Sequence, residues 1–210
     1  MLLAGALTLV ACARTTPEPA DLPRPVIAPA AFVFGDAPPG EFVSKRFGLR
    51  LRLPDGKAWR IDDHKTEHLV ATHTLAATSL RAARFNPNAL SGATVTRATC
   101  WDEAIARSIF PLVSRSESVV ENEERYDGTA DTHVAVSIGR NGRSGYVRYV
   151  AGSRTGCVAL GIESTRLAGD TDETLADRLA LLREKSIGGL AAPTREPLRD
   201  ERSWQPPARR

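Results

Sequence analysis

Phe47, Leu49, Leu51 and Leu53 alternate with Gly48, Arg50 and Arg52. Successive side chains of an extended chain point to opposite faces, so this stretch reads as a strand with one apolar and one solvated side. Pro54-Asp55-Gly56 then supplies a turn, and residues 57–62 around Trp59 read as the return strand. Two further extended runs follow at 67–76 and 78–85. Val134, Val136 and Ile138 renew the alternation, and Asn141-Gly142 marks a hairpin turn. Residues 147–150 with Val158, Leu160 and Ile162 then complete a C-terminal meander.

Two stretches break this period of two. Thr99 can cap a helix in which Trp101, Ile105 and Ile109 recur every four residues, with Pro111 stopping it. Asp170 with Glu173 has the form of a capping box, Leu175, Leu179 and Leu182 share one helical face, and Gly188-Gly189 ends the run. Four strands, a helix, four strands and a helix, with hairpin-like spacings, point to an α+β domain: an antiparallel β-sheet with two packed helices.

Proline sets the borders. Residues 13–40 hold seven prolines among small residues, and 191–210 hold four more with five arginines. Proline fixes φ and donates no hydrogen bond, so residues 12–40 are expected to form an extended linker and 191–210 a disordered tail. The domain is then expected at 41–190, long enough to bury one core. No internal repeat is visible.

The first residues read as an address. Leu2 to Val10 is an uncharged apolar run that ends in Leu9-Val10-Ala11-Cys12. That ending resembles a bacterial lipobox, in which a peptidase cuts before the cysteine and the cysteine carries lipid. Residues 1–11 would be the discarded leader, and Cys12 the anchor outside the cytoplasm. The run is half the length of a membrane-spanning helix. No Lys or Arg precedes it, so the true start is expected upstream or slightly displaced. Ala13, in place of Asp, points to the outer membrane. An ordinary secretory leader with an unmodified Cys12, or a cytoplasmic chain with an apolar start, are the alternatives.

The formal charge of +3 and pI near 9 raise nucleic acid as a partner. However, 24 of the 28 basic residues are Arg in a chain rich in Ala, Pro and Gly. This is the composition of a GC-rich genome, and +3 on this size steers weakly. No nucleic-acid partner is expected.

Phe47-Gly48 leading a strand to Pro54, with Trp59 five residues on, resembles the opening of PsbP-like domains, which include small bacterial lipoproteins. The resemblance covers residues 45–188 at the level of pattern. It implies an α/β/α sandwich that binds or assembles rather than catalyses, with Phe47, Pro54 and Trp59 as structural residues.

Chemistry is sparse. With Cys12 taken by lipid, Cys100 and Cys157 remain for an oxidising compartment and are expected to form a disulfide. Parity agrees: Cys157, Ala159 and Gly161 share the strand face that leaves room for a close helix, and Cys100 starts one. Two separate buried thiols are the alternative. His64, His68 and His73 with Asp62, Asp63 and Glu67 form the one metal-like cluster, but His68 and His73 have opposite strand parity, so no metal is assigned. His133 stands isolated. There is no G-x-S-x-G elbow and no phosphate-cradling loop. Glu117, Glu121, Glu123, Glu124 and Asp127 read as a solvated edge.

The functional expectation is a lipid-anchored binding or assembly module of the cell envelope, with no catalytic residues and no cofactor. Its partners are the membrane, through Cys12, and an envelope protein or anionic polymer. Arg143, Arg148 and Arg154 on the late hairpins are the possible partner-binding residues, because residues 131–166 carry a local +3 while 117–127 carry −4. A carrier of a small apolar ligand, or a hydrolase with dispersed residues, are the alternatives. A deep apolar pocket would favour the carrier; convergent polar groups with shifted pKa in a cleft would favour the enzyme.

Overall fold

The computed structural model describes residues 30–35, 38–64, 67–86, 95–110, 117–126, 131–139, 142–153 and 156–190. The leader at 1–11, Cys12, Arg154 and the tail at 191–210 lie outside the described residues.

The leucine alternation does form a strand, β2 (Leu49–Leu53), buried at every second residue. Its partner is β1 (Gly40–Ser44), in register from Gly40 opposite Leu53 to Ser44 opposite Leu49. The expected return strand is a correction. A single 3-10 turn at Gly56–Ala58 carries the chain away, and β3 (Trp59–Asp62) pairs instead with β4 (Leu69–His73). The turn residue Asp55 adopts the left-handed conformation, φ 54°, that Asp tolerates better than most residues.

Beyond β3 and β4 come β5 (Thr78–Phe85), α1 (Arg97–Ala106), β6 (Glu117–Tyr126), β7 (Asp131–Gly139), β8 (Ser144–Ser153), β9 (Gly156–Thr165) and α2 (Asp172–Gly189). Seven strands form one antiparallel sheet in the order β3-β4-β5-β9-β8-β7-β6, not closed into a barrel. The class is α+β, as the element pattern implied. No helix among the described residues is long and apolar enough to cross a membrane.

Register sorts the two faces. Cys157, Ala159 and Gly161 of β9 lie opposite Gly152, Val150 and Arg148 of β8 and opposite Phe85, Ala83 and Arg81 of β5, all on one face. α1 covers it so closely that a Cβ at Gly152 would meet the Thr96 backbone and one at Gly161 the Ile109 carbonyl. Val158, Leu160 and Ile162 line the other face, where Leu175 and Leu179 of α2 sit on Gly145. β2 packs on the same side, its Arg52 against Gly189 at the end of α2. The central strand β9 is therefore buried along nearly its whole length.

Both helix starts differ from expectation. Thr96, not Thr99, caps α1: its hydroxyl accepts the Thr99 amide while the Thr99 hydroxyl accepts the Thr96 amide. Thr171 and Thr174 make the same reciprocal box at α2, in place of Asp170 and Glu173. Asp170 is turned inward to Arg178. The Leu175, Leu179 and Leu182 face is fully buried, as its spacing predicted. The α1 face is not the expected one. Cys100 and Ala104 are buried while Ile105 is 48% exposed, and the helix ends at Ala106, ahead of Pro111.

The linker boundary also moves. Phe34 is buried, and the rings of Phe32 and Phe34 stand 5.5 and 5.3 Å from that of His73, with Trp59 at 5.3 Å. His73 accepts the Ala76 amide on Nδ1, which leaves Nε2 to donate to Asp55 at 3.2 Å. Arg178 donates to the Phe32 carbonyl, to Asp170 at 2.6 Å and to the Thr165 carbonyl, with its guanidinium 5.7 Å from the Phe32 ring. Packed structure thus begins by Phe32. Two aromatic side chains bury enough apolar area to override the extended tendency of the surrounding prolines.

Candidate functional site

α1 is a poor candidate for docking by hydrophobic burial alone. It is ten residues long and buries only Cys100 and Ala104, both small. Three other devices hold it. At its centre the Cys100–Cys157 disulfide ties it to β9, with Cα atoms 5.5 Å apart. At its start Arg97 bridges Glu124 at 2.8 Å and Asp131 at 3.2 Å, both from the β6–β7 hairpin. Just past its end Arg107 bridges Glu103 at 2.9 Å and Glu67 at 3.0 Å, and its guanidinium lies 5.0 Å from the Phe85 ring.

Each arginine borders an open cleft. The one past the end of α1, about 310 Å³, is lined by Glu67, His68, Glu103, Ala106, Arg107 and Ser108. His68 is already engaged there, its Nδ1 3.2 Å from the Arg107 carbonyl oxygen. The cleft at the start of α1, about 280 Å³, lies between the helix and β6–β7. Its lining residues are Arg97, Ala98, Trp101, Asp102, Glu124 and His133.

This second cleft combines more chemistry. The Trp101 ring forms a wall, 4.7 Å from Phe110 and 4.7 Å from His133. His133 Nδ1 faces Glu124 at 3.5 Å, too long for a hydrogen bond, and the atom is buried without a hydrogen-bond partner. Burial pushes the His133 pKa down, with Arg97 adding to it, while Glu124 and Asp131 pull the other way. With His133 neutral, the lining sets Arg97 against Asp102 and Glu124, and Arg97 is shared with Asp131 outside the lining. The cleft is therefore acidic. Asp102 is exposed on the helix and makes no ion pair among the described residues. Glu124 is half exposed.

Neither Arg143 nor Arg148 lines this cleft. Arg148 sits mid-strand on the α1 face with its guanidinium 5.5 Å from the Tyr146 ring. Arg143 precedes β8, and its carbonyl accepts the Arg166 amide. Arg154 follows β8 in sequence and is outside the described residues. Arg143 and Arg148 are five residues apart in sequence, one just before the start and the other in the middle of β8. His68 and His73 lie on opposite sides of the sheet, at the α1 cleft and among the aromatic rings respectively. Among the described residues no group of three or more His, Cys, Asp or Glu is placed to hold a metal.

Sequence reading missed this cleft because it left His133 isolated and the acidic stretch as a mere edge. The acidic stretch is an edge, β6, with a register shift between Val119 and Glu121. Yet Glu124 and His133 are direct cross-strand partners. The sequence held no sharp signal for it: a two-residue turn at Asp127-Gly128 would pair residue 124 with residue 131, whereas the register pairs it with 133.

No protein-family profile and no curated protein matches the sequence. Among solved structures, a 1.50 Å crystal structure of a Bacteroides thetaiotaomicron protein is similar over 74% of this chain, at 15% identity and a TM-score of 0.38. The chain spans about half of that protein, 48% of its length.

Proposed function

We propose that the chain is a lipid-anchored binding or assembly module of the cell envelope, held at the outer membrane through Cys12, that works through the α1 face and carries no catalytic activity. The observation that supports this most is how the two faces of the sheet are used. Where a carrier would hold an apolar ligand, between sheet and α2, the space is taken by Leu49, Leu51, Leu160, Ile162, Leu175 and Leu179, each at most 2% exposed. The open clefts lie instead at the ends of α1 and are lined by charged groups. One helix on each sheet face is compatible with the α/β/α layering of PsbP-like domains, and that likeness belongs to the same proposal.

A hydrolase has one observation in its favour, the shifted His133 beside Glu124. A nucleophilic mechanism needs a hydroxyl or thiol within reach of the base. None hydrogen-bonds to His133 among the described residues, and Cys100 is tied in the disulfide. We place the partner surface on the cleft rather than on Arg143, Arg148 and Arg154 because the cleft combines an indole with charged groups around an open space.

The test is photo-crosslinking in the envelope of a bacterium expressing the full chain. A photoreactive residue at Ala98, in the cleft wall, should give a discrete membrane-fraction adduct. The same residue at Ala180, exposed on α2, should not. Identical adduct patterns from both positions, or none from either, would refute the reading.

A further inference from the structure

We propose that the cleft between α1 and the β6–β7 hairpin is a guanidinium-binding site that takes an arginine side chain from an extended, basic segment of the partner protein. The proposal rests on the binding-module reading above and adds the chemistry of what is bound.

Four observations converge. First, the cleft offers about 280 Å³, just below the range of roughly 300–1,000 Å³ typical of small-molecule sites, which suits one long side chain. Second, its charge is unbalanced. Among its lining residues Arg97 stands against both Asp102 and Glu124, and burial disfavours a compensating charge on His133. Third, the indole of Trp101 stands in the wall, partly buried, and a planar guanidinium stacks on such a ring better than an ammonium does. Fourth, β6 ends the sheet and runs past the cleft, with a sequence of four Glu to one Arg over Glu117–Tyr126. An extended segment lying along that edge can pair its backbone with β6. A side chain set beside Glu124 then projects toward the cleft.

The arrangement assigns roles. Asp102 and Glu124 are the charge partners, with carboxylates able to accept paired N–H bonds from one guanidinium. Arg97, itself in the lining, holds Glu124 and limits the site to one incoming cation. His133, neutral, keeps the floor of the cleft from repelling it. A lysine would satisfy the charge but not the paired geometry.

The probe is a fluorescein-labelled peptide of alternating Thr and Arg, titrated into the full chain and followed by anisotropy at two salt concentrations. Peptides with lysine or with uncharged citrulline in place of arginine are the controls. The arginine peptide should bind at least threefold more tightly than the lysine peptide and more tightly still than the citrulline peptide. Asp102→Asn and Glu124→Gln should each weaken it about threefold or more, with melting temperatures held near the parent value. Because Trp101→Ala could loosen α1, Trp101→Phe serves as a second variant and should weaken binding less than the alanine change. Equal binding of all three peptides, or no loss in either carboxamide variant, would overturn the proposal. If the arginine peptide fails while the Ala98 crosslink persists, the cleft binds a partner of other chemistry. If both fail, the module reading falls as well.

Discussion

Removing the Cys100–Cys157 cross-link tests how α1 is held. The bond closes a loop of 57 residues' separation. In the chain-entropy account a loop of that length restricts the unfolded chain by about 4 kcal/mol at 25 °C. Compensation from α1 is limited, because it fully buries only Cys100 and Ala104, packs Trp101 partly buried against the core, and its arginine bridges involve half-exposed partners worth about 0–1 kcal/mol each. For a chain of this size 1 kcal/mol moves the melting temperature by roughly 2–4 °C, so the Cys100→Ala, Cys157→Ala double variant should melt roughly 8–16 °C lower. Differential scanning fluorimetry of the parent, the variant, and both with a phosphine reductant is the assay. The reduced parent should coincide with the variant, and the variant should ignore the reductant. Amide exchange should rise first in residues 97–110, since local opening begins where apolar burial is thinnest. A fall below about 2 °C would refute the reasoning. So would free alkylation of both thiols in unreduced native protein.

Three further outcomes are expected. Intact mass of the membrane-extracted protein should show cleavage before Cys12 with added acyl mass; an unmodified thiol there, or retention of Met1, would end the lipoprotein reading. Asp170→Asn leaves the buried Arg178 without its charge partner, so it should destabilise the domain by about 3–5 kcal/mol in chemical denaturation and increase proteolysis near Phe32; a change under about 1 kcal/mol would show the pair to be dispensable. His133 titrates below its ordinary value in the folded state, so the unfolded chain binds its proton first as pH falls. Its contribution is constant above about 6.5 and is lost as pH drops from there through the lowered folded value. His133→Gln should flatten that part of the stability–pH curve, and an unchanged slope would contradict the assignment.

What the sequence made legible depended on how local the cause was. Leu49, Leu51 and Leu53 announce their strand because the side-chain period is fixed by the backbone, and Leu175, Leu179 and Leu182 announce their helix face for the same reason. Errors arose where a distant partner redirected a local preference. Asp170 is a good cap by type, but the buried Arg178 claims its carboxylate, and Thr171 takes over the cap. Trp101 and Ile105 have helical spacing, but the disulfide to β9 turns Cys100, and with it Ala104 one turn on, toward the sheet. Phe32 and Phe34 sit among prolines and read as spacer until His73, Trp59 and Arg178 are assembled around them. The cleft belongs to the same class of miss. Arg97, Trp101, Glu124, Asp131 and His133 are unremarkable one by one, and the hairpin register together with α1 creates their grouping. A composition argument placed the partner on scattered arginines by summing charge along the chain. Folding instead gathers carboxylates around one arginine and one indole. The proposed cationic partner rests on that grouping, whereas charge summed along the chain pointed to Arg143, Arg148 and Arg154.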